Sequence, residues 1–282
     1  MSIPEKHLAV LGSPIEHSRS PQLHRAAYGV LGLPWSYERC DVPTGTLSTF
    51  LGSLDHSWRG VSLTMPLKRE VLPMLTSQTS LVDSSGVANT VLLEGDQLLG
   101  FNTDVAGIVG ALADHHITDV DIAHVIGTGA TAASAFLAAA RLGASRVVIS
   151  GRSLEGIAAL EVLGDRLGVH TEWRLYGSAM PMRADLVINT LPGDVDPDDV
   201  PEADLGSVLL EVPYDPWPTP RAARWGVRDA LVVNGLEMLL HQAIAQVRIF
   251  VTGQEDGELD DEQDVIAAMR ESVGLQVEGP AG

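Results

Sequence analysis

The stretch AHVIGTGATAASAFLAAARLG, residues 123–143, indicates the fold of its half of the chain. A short apolar run ends in Gly127-Thr128-Gly129, and an alanine-rich segment of helical periodicity follows at once. With Ala132 in third place, the spacing fits the G-x-G-x-x-G/A fingerprint in its required strand–turn–helix context. The first glycine permits the tight turn, and the second lets the backbone approach a pyrophosphate. The stretch predicts a dinucleotide-binding unit; the alternative is a glycine turn in an ordinary α/β domain.

The apolar runs that follow this stretch are nearly continuous rather than alternating, which is typical of parallel strands covered on both faces. Together with the fingerprint they predict a Rossmann-type, doubly wound domain. The strand candidates are 123–129, 146–150, 185–190, 207–212 and 230–233.

The chain before this stretch has the same βα character, with strands at 7–12, 35–42 and 59–64 separated by helices at 21–32 and 46–54. This βαβαβ pattern favours parallel strands with helices on the faces. Residues 87–102 hold two apolar runs around Glu94-Gly95-Asp96 and predict a hairpin, and helices are predicted at 236–253 and 261–273.

We therefore predict an α/β protein of two domains: an N-terminal α/β domain, 1–103, completed by the C-terminal helices of 239–282, and a Rossmann-type domain, 104–238. The site is expected in the cleft between them.

Composition excludes several classes of function. The net charge of −19 argues against nucleic acid, which needs a basic face. No apolar run is long enough to span a bilayer, and the single cysteine, Cys40, excludes an internal disulfide. We predict a cytoplasmic protein with no membrane, nucleic-acid or metal partner. The histidines lack metal-ligand spacing and are interpreted as caps, surface or packing residues; they include His17, His24, His115, His116 and His241.

The end of the second Rossmann strand concerns the choice of dinucleotide. NAD-binding proteins usually place an acid there for the ribose 2′-hydroxyl, whereas this chain has Ser150-Gly151-Arg152-Ser153. Arg152, with the hydroxyls of Ser150 and Ser153, suits a 2′-phosphate, so NADP is favoured over NAD. The alternative is that Arg152 is a solvated surface residue.

Four polar pieces lie at predicted strand ends outside the nucleotide fingerprint. Ser18 and Ser20 precede a helix, where serines commonly cap. Lys68 is one of only two lysines against 16 arginines, and on position alone it could lie on the wet face of a helix. Asn89 lies in Val87-Ala88-Asn89-Thr90, and Asp104 could be a helix N-terminal acid. A lysine and an aspartate brought together there could instead exchange a proton with a substrate hydroxyl.

Taken together, the motifs resemble the shikimate dehydrogenase family over about residues 8–253. The matching segments, in order, are GSPIEHSRSPQLH, GVSLTMPLK, GVANT, GFNTD, IGTGATAA, DLVINTLP, YDPWPTP and NGLEMLLHQA. The resemblance implies an NADP-dependent oxidoreductase that reduces 3-dehydroshikimate to shikimate in aromatic amino-acid biosynthesis. The first domain would then bind the substrate and carry the catalytic residues, and the second would bind NADP.

The same resemblance implies roles for individual residues. Lys68 and Asp104 match the catalytic pair, with the lysine polarising the carbonyl. Residues matching substrate contacts are Ser18, Ser20, Thr64, Asn89, Tyr214 and Gln242, of which the two serines match the carboxylate donors. Residues matching cofactor positions are Gly127, Gly129, Ala130, Thr131, Arg152, Thr190, Val212, Gly235 and Met238.

The chain departs from the family pattern at three places. The common N-V-T piece is S-L-T here, so Ser62 replaces an asparagine; the phosphate loop has Ala130 and Ala132 in place of further glycines; and N-R-T is G-R-S. Two alternatives stay open. One is an NAD-dependent quinate/shikimate dehydrogenase of catabolism, discriminated near Ser62, Thr64 and position 152. The other is a non-catalytic nucleotide-binding regulator. We expect a monomer or a homodimer.

Overall fold

The computed structural model describes residues 4–176, 183–195, 206–228 and 230–275. The chain divides into two compact units: the first comprises Met1–Thr103 and Leu239–Gly282, and the second comprises Asp104–Met238. Of the predicted first domain, residues 1–3 and 276–282 lie outside the described residues, as do 177–182, 196–205 and 229 of the predicted second.

The first part of the chain contains β1 (Lys6–Gly12), α1 (Ser20–Val30), β2 (Trp35–Asp41), α2 (Leu47–Gly52), β3 (Trp58–Leu63), α3 (Leu67–Glu70), a 3₁₀ turn (Leu72–Met74), β4 (Ser77–Gln78), α4 (Ser80–Ser85), β5 (Thr90–Glu94) and β6 (Gln97–Phe101). The remainder contains α5 (Asp104–Asp114), β7 (Ile122–Ile126), α6 (Ala130–Arg141), β8 (Arg146–Gly151), α7 (Leu154–Leu167), β9 (His170–Leu175), β10 (Leu186–Asn189), β11 (Val208–Glu211), α8 (Pro220–Gly226), β12 (Leu231–Asn234), α9 (Gly235–Thr252) and α10 (Glu262–Ser272).

The first unit is built on a mixed sheet of order β2-β1-β3-β5-β6-β4. Successive side chains of a strand point to opposite faces. In β1, Leu8 and Val10 join a core cluster with α1 and α9, whereas Ala9 and Leu11 join a second cluster on the other face. Both faces of β1 are therefore buried, which explains why its sequence is apolar without alternation.

The second unit is built on a parallel sheet of order β12-β11-β10-β7-β8-β9. Counted from β7 as strand 1, this is the 3-2-1-4-5-6 order of doubly wound dinucleotide-binding domains. The order reverses between β7 and β10, which are hydrogen-bonded neighbours. Ligands of such sheets bind beyond the carboxyl ends of the strands at this switch point. The predicted fold class is confirmed.

The sequence pattern located every strand and helix that it named, with differences at the ends. The first Rossmann strand ends at Ile126 rather than at Gly129, because the two glycines form the turn and Gly127 has φ +109°. Six elements were not predicted: the 3₁₀ turn, β4, α4, α7, β9 and α8. No helix among the described residues is both long and apolar enough to cross a bilayer.

Candidate functional site

The predicted substrate residues of the first unit converge on one edge of its sheet. Strands β1 and β3 are parallel, so their carboxyl ends share that edge. Strand β5 is antiparallel to β3 and pairs Thr90 with Ser62, so it begins where β3 ends. Strand β6 in turn pairs Phe101 with Thr90 and ends at the same edge. Four polar segments that are distant in sequence are brought together there.

The loop after β1 carries the two serines and lies beside the loop after β3. The backbone N–H of Ser13 donates to Met65 O at 3.0 Å, and that of Thr64 donates to Leu11 O at 2.9 Å. The helix α1 is capped by Arg19, which makes no side-chain capping bond. Ser18 Oγ instead accepts from the backbone N–H of Ser20 at 3.4 Å. The hydroxyls thus form a local turn rather than the helix cap considered above.

Lys68 is buried on the short helix α3, with 9% of its surface exposed. This excludes the interpretation in which it lies on a wet helix face. Its carbonyl accepts a hydrogen bond from the backbone N–H of Ala88 at 2.9 Å, which fixes the helix against the segment that carries Asn89. Burial limits the conformations open to this side chain, which suits a proton donor that must keep one position.

Asn89 and Gln242 meet within the first unit. Asn89 Nδ2 donates to Gln242 Oε1 at 3.3 Å and to Thr103 Oγ1 at 2.9 Å. Asn89 Oδ1 accepts from the backbone N–H of Thr103 at 2.8 Å. The two carboxamides lie 153 residues apart in sequence, and both are buried. Their donors and acceptors suit a ligand that carries several hydroxyl groups.

In the second unit, three strand ends meet around the glycine turn. A Cβ on Gly127 would collide with Thr190 Oγ1, at the end of β10. The side chain of Thr128 fills the space beside Gly151 and Gly156, where added Cβ atoms would lie 2.5 and 2.7 Å from it. The turns after β7, β8 and β10 are therefore packed together at the switch point.

The space beside Gly129 tests whether a dinucleotide fits this turn. A Cβ at Gly129 would have no heavy atom within 4 Å, so the backbone is open on that side. Gly129 is the N-cap of α6, and no side chain caps this helix end. Open N–H groups at a helix N-terminus suit a pyrophosphate. The residues present fit the group.

Arg152 lies exposed in the turn directly after β8, next to the Thr128 contact with Gly151. Ser153 caps α7 by accepting from the backbone N–H of Gly156 at 3.2 Å. Ser150 Oγ is instead buried and lies 2.7 Å from His124 Nε2. The expectation that Ser150 offers its hydroxyl to a 2′-phosphate is wrong, because that hydroxyl points into the domain.

The remaining predicted residues of the second unit lie on the ends of its elements. Asp104 is the first residue of α5 and accepts from Ser134 Oγ at 3.5 Å. Val212 follows β11, and its N–H donates to Asn189 O at 3.0 Å. Gly235 begins α9, and a Cβ there would collide with the backbone of Val212. Tyr214 is half-buried, Met238 is buried, and Ala130 and Thr131 form the first turn of α6.

Sequence reasoning missed three contributors. Thr103 bonds to both Asn89 and Gln242. Thr128 packs the glycine turn onto the turn after β8. Gln246 is a buried carboxamide one helical turn beyond Gln242. The sequence could have indicated Gln246, because a glutamine on an otherwise apolar face of a helix needs a hydrogen-bonding partner.

Three observations concern the thiol, possible metal ligands and a buried histidine. Cys40 is a free thiol that is half-buried. No group of three or more His, Cys, Asp or Glu side chains that could hold a metal ion exists in the described part of the chain. Burial lowers the pKa of His24 to about 3, against a hydrogen bond with Gln246 that raises it. His24 is therefore a neutral packing residue.

Comparison with known proteins identifies related chains. Residues 10–91 match the family model described as the shikimate dehydrogenase substrate binding domain. The NADP(+) shikimate dehydrogenase of Ignicoccus hospitalis is 32% identical over 86% of this chain and 92% of its own. That of Methylobacterium radiotolerans is also 32% identical, over 86% of this chain and 90% of its own.

Solved structures give the same result. The shikimate dehydrogenase of Mycobacterium tuberculosis has a TM-score of 0.81 and 36% identity, covering 94% of this chain and 99% of its own. Shikimate 5-dehydrogenase of Thermus thermophilus, solved with NADP(H) and shikimate, has a TM-score of 0.75 and 28% identity over 95% of this chain and 99% of its own.

Proposed function

This chain belongs to the shikimate dehydrogenase family, and from that premise we propose that it reduces 3-dehydroshikimate to shikimate with NADPH, in aromatic amino-acid biosynthesis. The observation that carries the proposal is the sheet edge of the first unit. It gathers the buried Lys68, the serine turn and the Asn89–Gln242 pair, which suit a hydroxylated acid. The hydroxyl groups of the serine turn, Ser18 and Ser20, also explain how a protein of net charge −19 can hold an anion.

Lys68 carries the chemistry at the reacting carbonyl. Its ammonium polarises the carbonyl oxygen and donates a proton to it as the alkoxide develops. When bound, NADPH supplies the hydride that adds to the carbonyl carbon. Asp104 is proposed as the second member of the catalytic pair, and the family motifs around both residues support this assignment. Ser18 and Ser20 hold the substrate carboxylate, with Thr64, Asn89, Tyr214 and Gln242 at the hydroxyls or carboxylate.

The cofactor is assigned to the switch point of the second unit. The open backbone at Gly129, with Gly127, Ala130 and Thr131, would hold the pyrophosphate, and Arg152 would hold the 2′-phosphate. Thr190, Val212, Gly235 and Met238 line the nicotinamide side. The single free Cys40 suits the reducing cytoplasm, which is the location that we propose. A monomer or a homodimer stays a prediction.

A grid of two cofactors and two substrates tests this function. The purified protein is mixed with NADP⁺ or NAD⁺ and with shikimate or quinate, and the reduced nicotinamide is followed by its absorbance. Turnover with NADP⁺ and shikimate alone supports the proposal. Better rates with NAD⁺ and quinate would assign the chain to catabolism, and no turnover in any mixture would point to a regulator.

Replacement of Arg152 is expected to change cofactor preference. Arg152→Ala should weaken NADP⁺ binding by about 1 to 3 kcal/mol, because a charge-assisted contact with the 2′-phosphate is lost. The KM for NAD⁺ should not change, since NAD⁺ lacks that phosphate. Arg166→Ala, an exposed arginine in the last turn of the same helix that follows Arg152, is the matched control. An unchanged ratio of NADP⁺ to NAD⁺ affinity in Arg152→Ala would contradict the assignment.

Replacement of Ser18 is expected to affect the acid substrate alone. Ser18→Ala should raise the KM for shikimate by about tenfold, because a hydrogen bond to a carboxylate is lost in the ground state as well as in the transition state. The KM for NADP⁺ should stay the same. Ser53→Ala, which removes an exposed hydroxyl bonded to Phe50 O, is the control. A KM for shikimate equal to that of the control would remove Ser18 from the carboxylate site.

A further inference from the structure

A chain of buried hydrogen bonds runs behind the substrate edge of the first unit. Tyr37 OH donates to Ser62 Oγ at 2.7 Å, and Ser62 Oγ donates to Gln246 Oε1 at 2.9 Å. Gln246 Nε2 donates to Thr90 Oγ1 at 2.9 Å, and Thr90 Oγ1 donates to Asn89 Oδ1 at 2.9 Å. The exposed fraction of each of these five side chains is 3% or less.

Backbone groups that contact Gln246 and Asn89 fix the direction of this chain. Gln246 Nε2 also lies 3.4 Å from Asn89 O, a carbonyl that can only accept, so this end of the Gln246 carboxamide must be the donor. Asn89 Oδ1 receives the backbone N–H of Thr103, which can only donate. The direction of donation along the chain therefore follows from a backbone carbonyl, which can only accept, and a backbone N–H, which can only donate.

The direction at Gln246 also fixes the state of His24. Gln246 Oε1 lies 3.1 Å from His24 Nε2, so this nitrogen carries the hydrogen. His24 Nδ1 then accepts from Tyr28 OH at 3.1 Å. The lowered pKa of His24 keeps the ring neutral, and burial raises the pKa of Tyr37, which keeps its hydroxyl a donor. His24 is stacked on Tyr37 at 3.9 Å between ring centroids, so both rings are held in place.

The consequence lies at Asn89. Gln246 Nε2 donates to Thr90 Oγ1, so the Thr90 hydroxyl cannot donate back to Gln246. It donates to Asn89 Oδ1 instead. The Thr90 hydroxyl and the backbone N–H of Thr103 both donate to Asn89 Oδ1. If the Asn89 carboxamide rotated by 180°, its own N–H groups would face these two donors and both hydrogen bonds would be lost. Its Nδ2 is thereby directed to Gln242 Oε1.

We propose that Gln246 and Thr90 are positioning residues for substrate binding: with the backbone N–H of Thr103, they determine which way round the Asn89 carboxamide lies. This inference rests on the proposed function, in which Asn89 and Gln242 contact the substrate. It also explains the departure at Ser62, whose hydroxyl lies in this interior chain. Ser62 is therefore a link to Gln246 rather than a group that discriminates shikimate from quinate.

The test separates positioning from stability. Thr90→Val keeps the shape and removes the hydroxyl, and Thr90→Ser restores the hydroxyl. Gln246→Glu reverses the polarity, because Thr90 would then donate to the new carboxyl group instead of to Asn89. Tyr28→Phe removes one buried hydrogen bond at the far end of the network and is the matched control. Thermal melting and steady-state kinetics are measured for wild type and for each variant.

We expect the KM for shikimate to rise about tenfold in Thr90→Val and in Gln246→Glu, the effect of one misdirected buried hydrogen bond. The kcat should stay within about threefold and the KM for NADP⁺ should not change, because ground-state and transition-state binding are lost equally. Thr90→Ser should restore the wild-type KM, and Tyr28→Phe should lower only the Tm.

Two outcomes would overturn the inference. An unchanged KM for shikimate in Thr90→Val is one, and it decides the matter even where Gln246→Glu fails to fold. The other is an equal rise in the KM for shikimate in all variants, Tyr28→Phe included. That result would mean that the network serves stability alone. Inactive wild-type protein would instead count against the proposed function, so the two failures are distinguishable.

Discussion

Lys68→Ala is expected to lower kcat by about three orders of magnitude, within the range measured for loss of a general acid. The KM for shikimate should change little, because the serine turn and the carboxamides that we propose as the binding groups for the acid remain. The reason is chemical: without the ammonium, the oxygen of the carbonyl gains negative charge with no proton donor beside it. Steady-state kinetics in the direction of shikimate oxidation measure both constants.

Two further lysine variants separate the possible causes. Lys68→Arg keeps a positive charge but cannot release a proton, so it should stay nearly as slow as Lys68→Ala if proton transfer is the role. Lys6→Ala, the other lysine of the chain, is the control. Lys6 begins β1 at the opposite sheet edge and donates to His56 O at 2.7 Å, so its loss should leave kcat unchanged. A Lys68→Ala enzyme within a few fold of wild type would contradict the assignment.

Gly129→Ala is expected to weaken NADP⁺ binding by about 100-fold, the scale of one or two lost charge-assisted hydrogen bonds. Its stability should be unchanged, because φ is −82° and a Cβ would meet no atom within 4 Å. The methyl group would occupy only the open space that we propose for the pyrophosphate. Calorimetric titration with NADP⁺ and thermal melting measure the two quantities.

Gly127→Ala provides the contrast. Gly127 has φ +109°, and a Cβ would collide with Thr190 Oγ1. This variant should lose about 1 to 2 kcal/mol of stability from backbone strain, as well as cofactor affinity. If Gly129→Ala bound NADP⁺ as tightly as wild type, the pyrophosphate would not lie against this backbone. If Gly127→Ala had the same Tm as wild type, the turn would have another conformation.

A feature could be predicted from the sequence when the residues that determine it lie close to it along the chain. The βα series, the hairpin around Gly95 and the glycine turn were predicted correctly, because each depends on neighbours a few residues away. Local position alone misled at Ser150, whose place near Arg152 suggested a phosphate contact. Its hydroxyl instead lies against His124, which is 26 residues earlier on the adjacent strand.

The sequence by itself determined the fold class, because apolar periodicity and turn residues act over short distances along the chain. It also supplied the ordered motifs that indicate the family. Only the tertiary structure decided which strands are neighbours, and hence that β10 and Thr190 lie beside the glycine turn. It likewise decided the partner of Ser62, since Gln246 lies 184 residues away. Contacts of this kind form when sheets pair and helices pack on them, and no local pattern encodes which polar groups then meet.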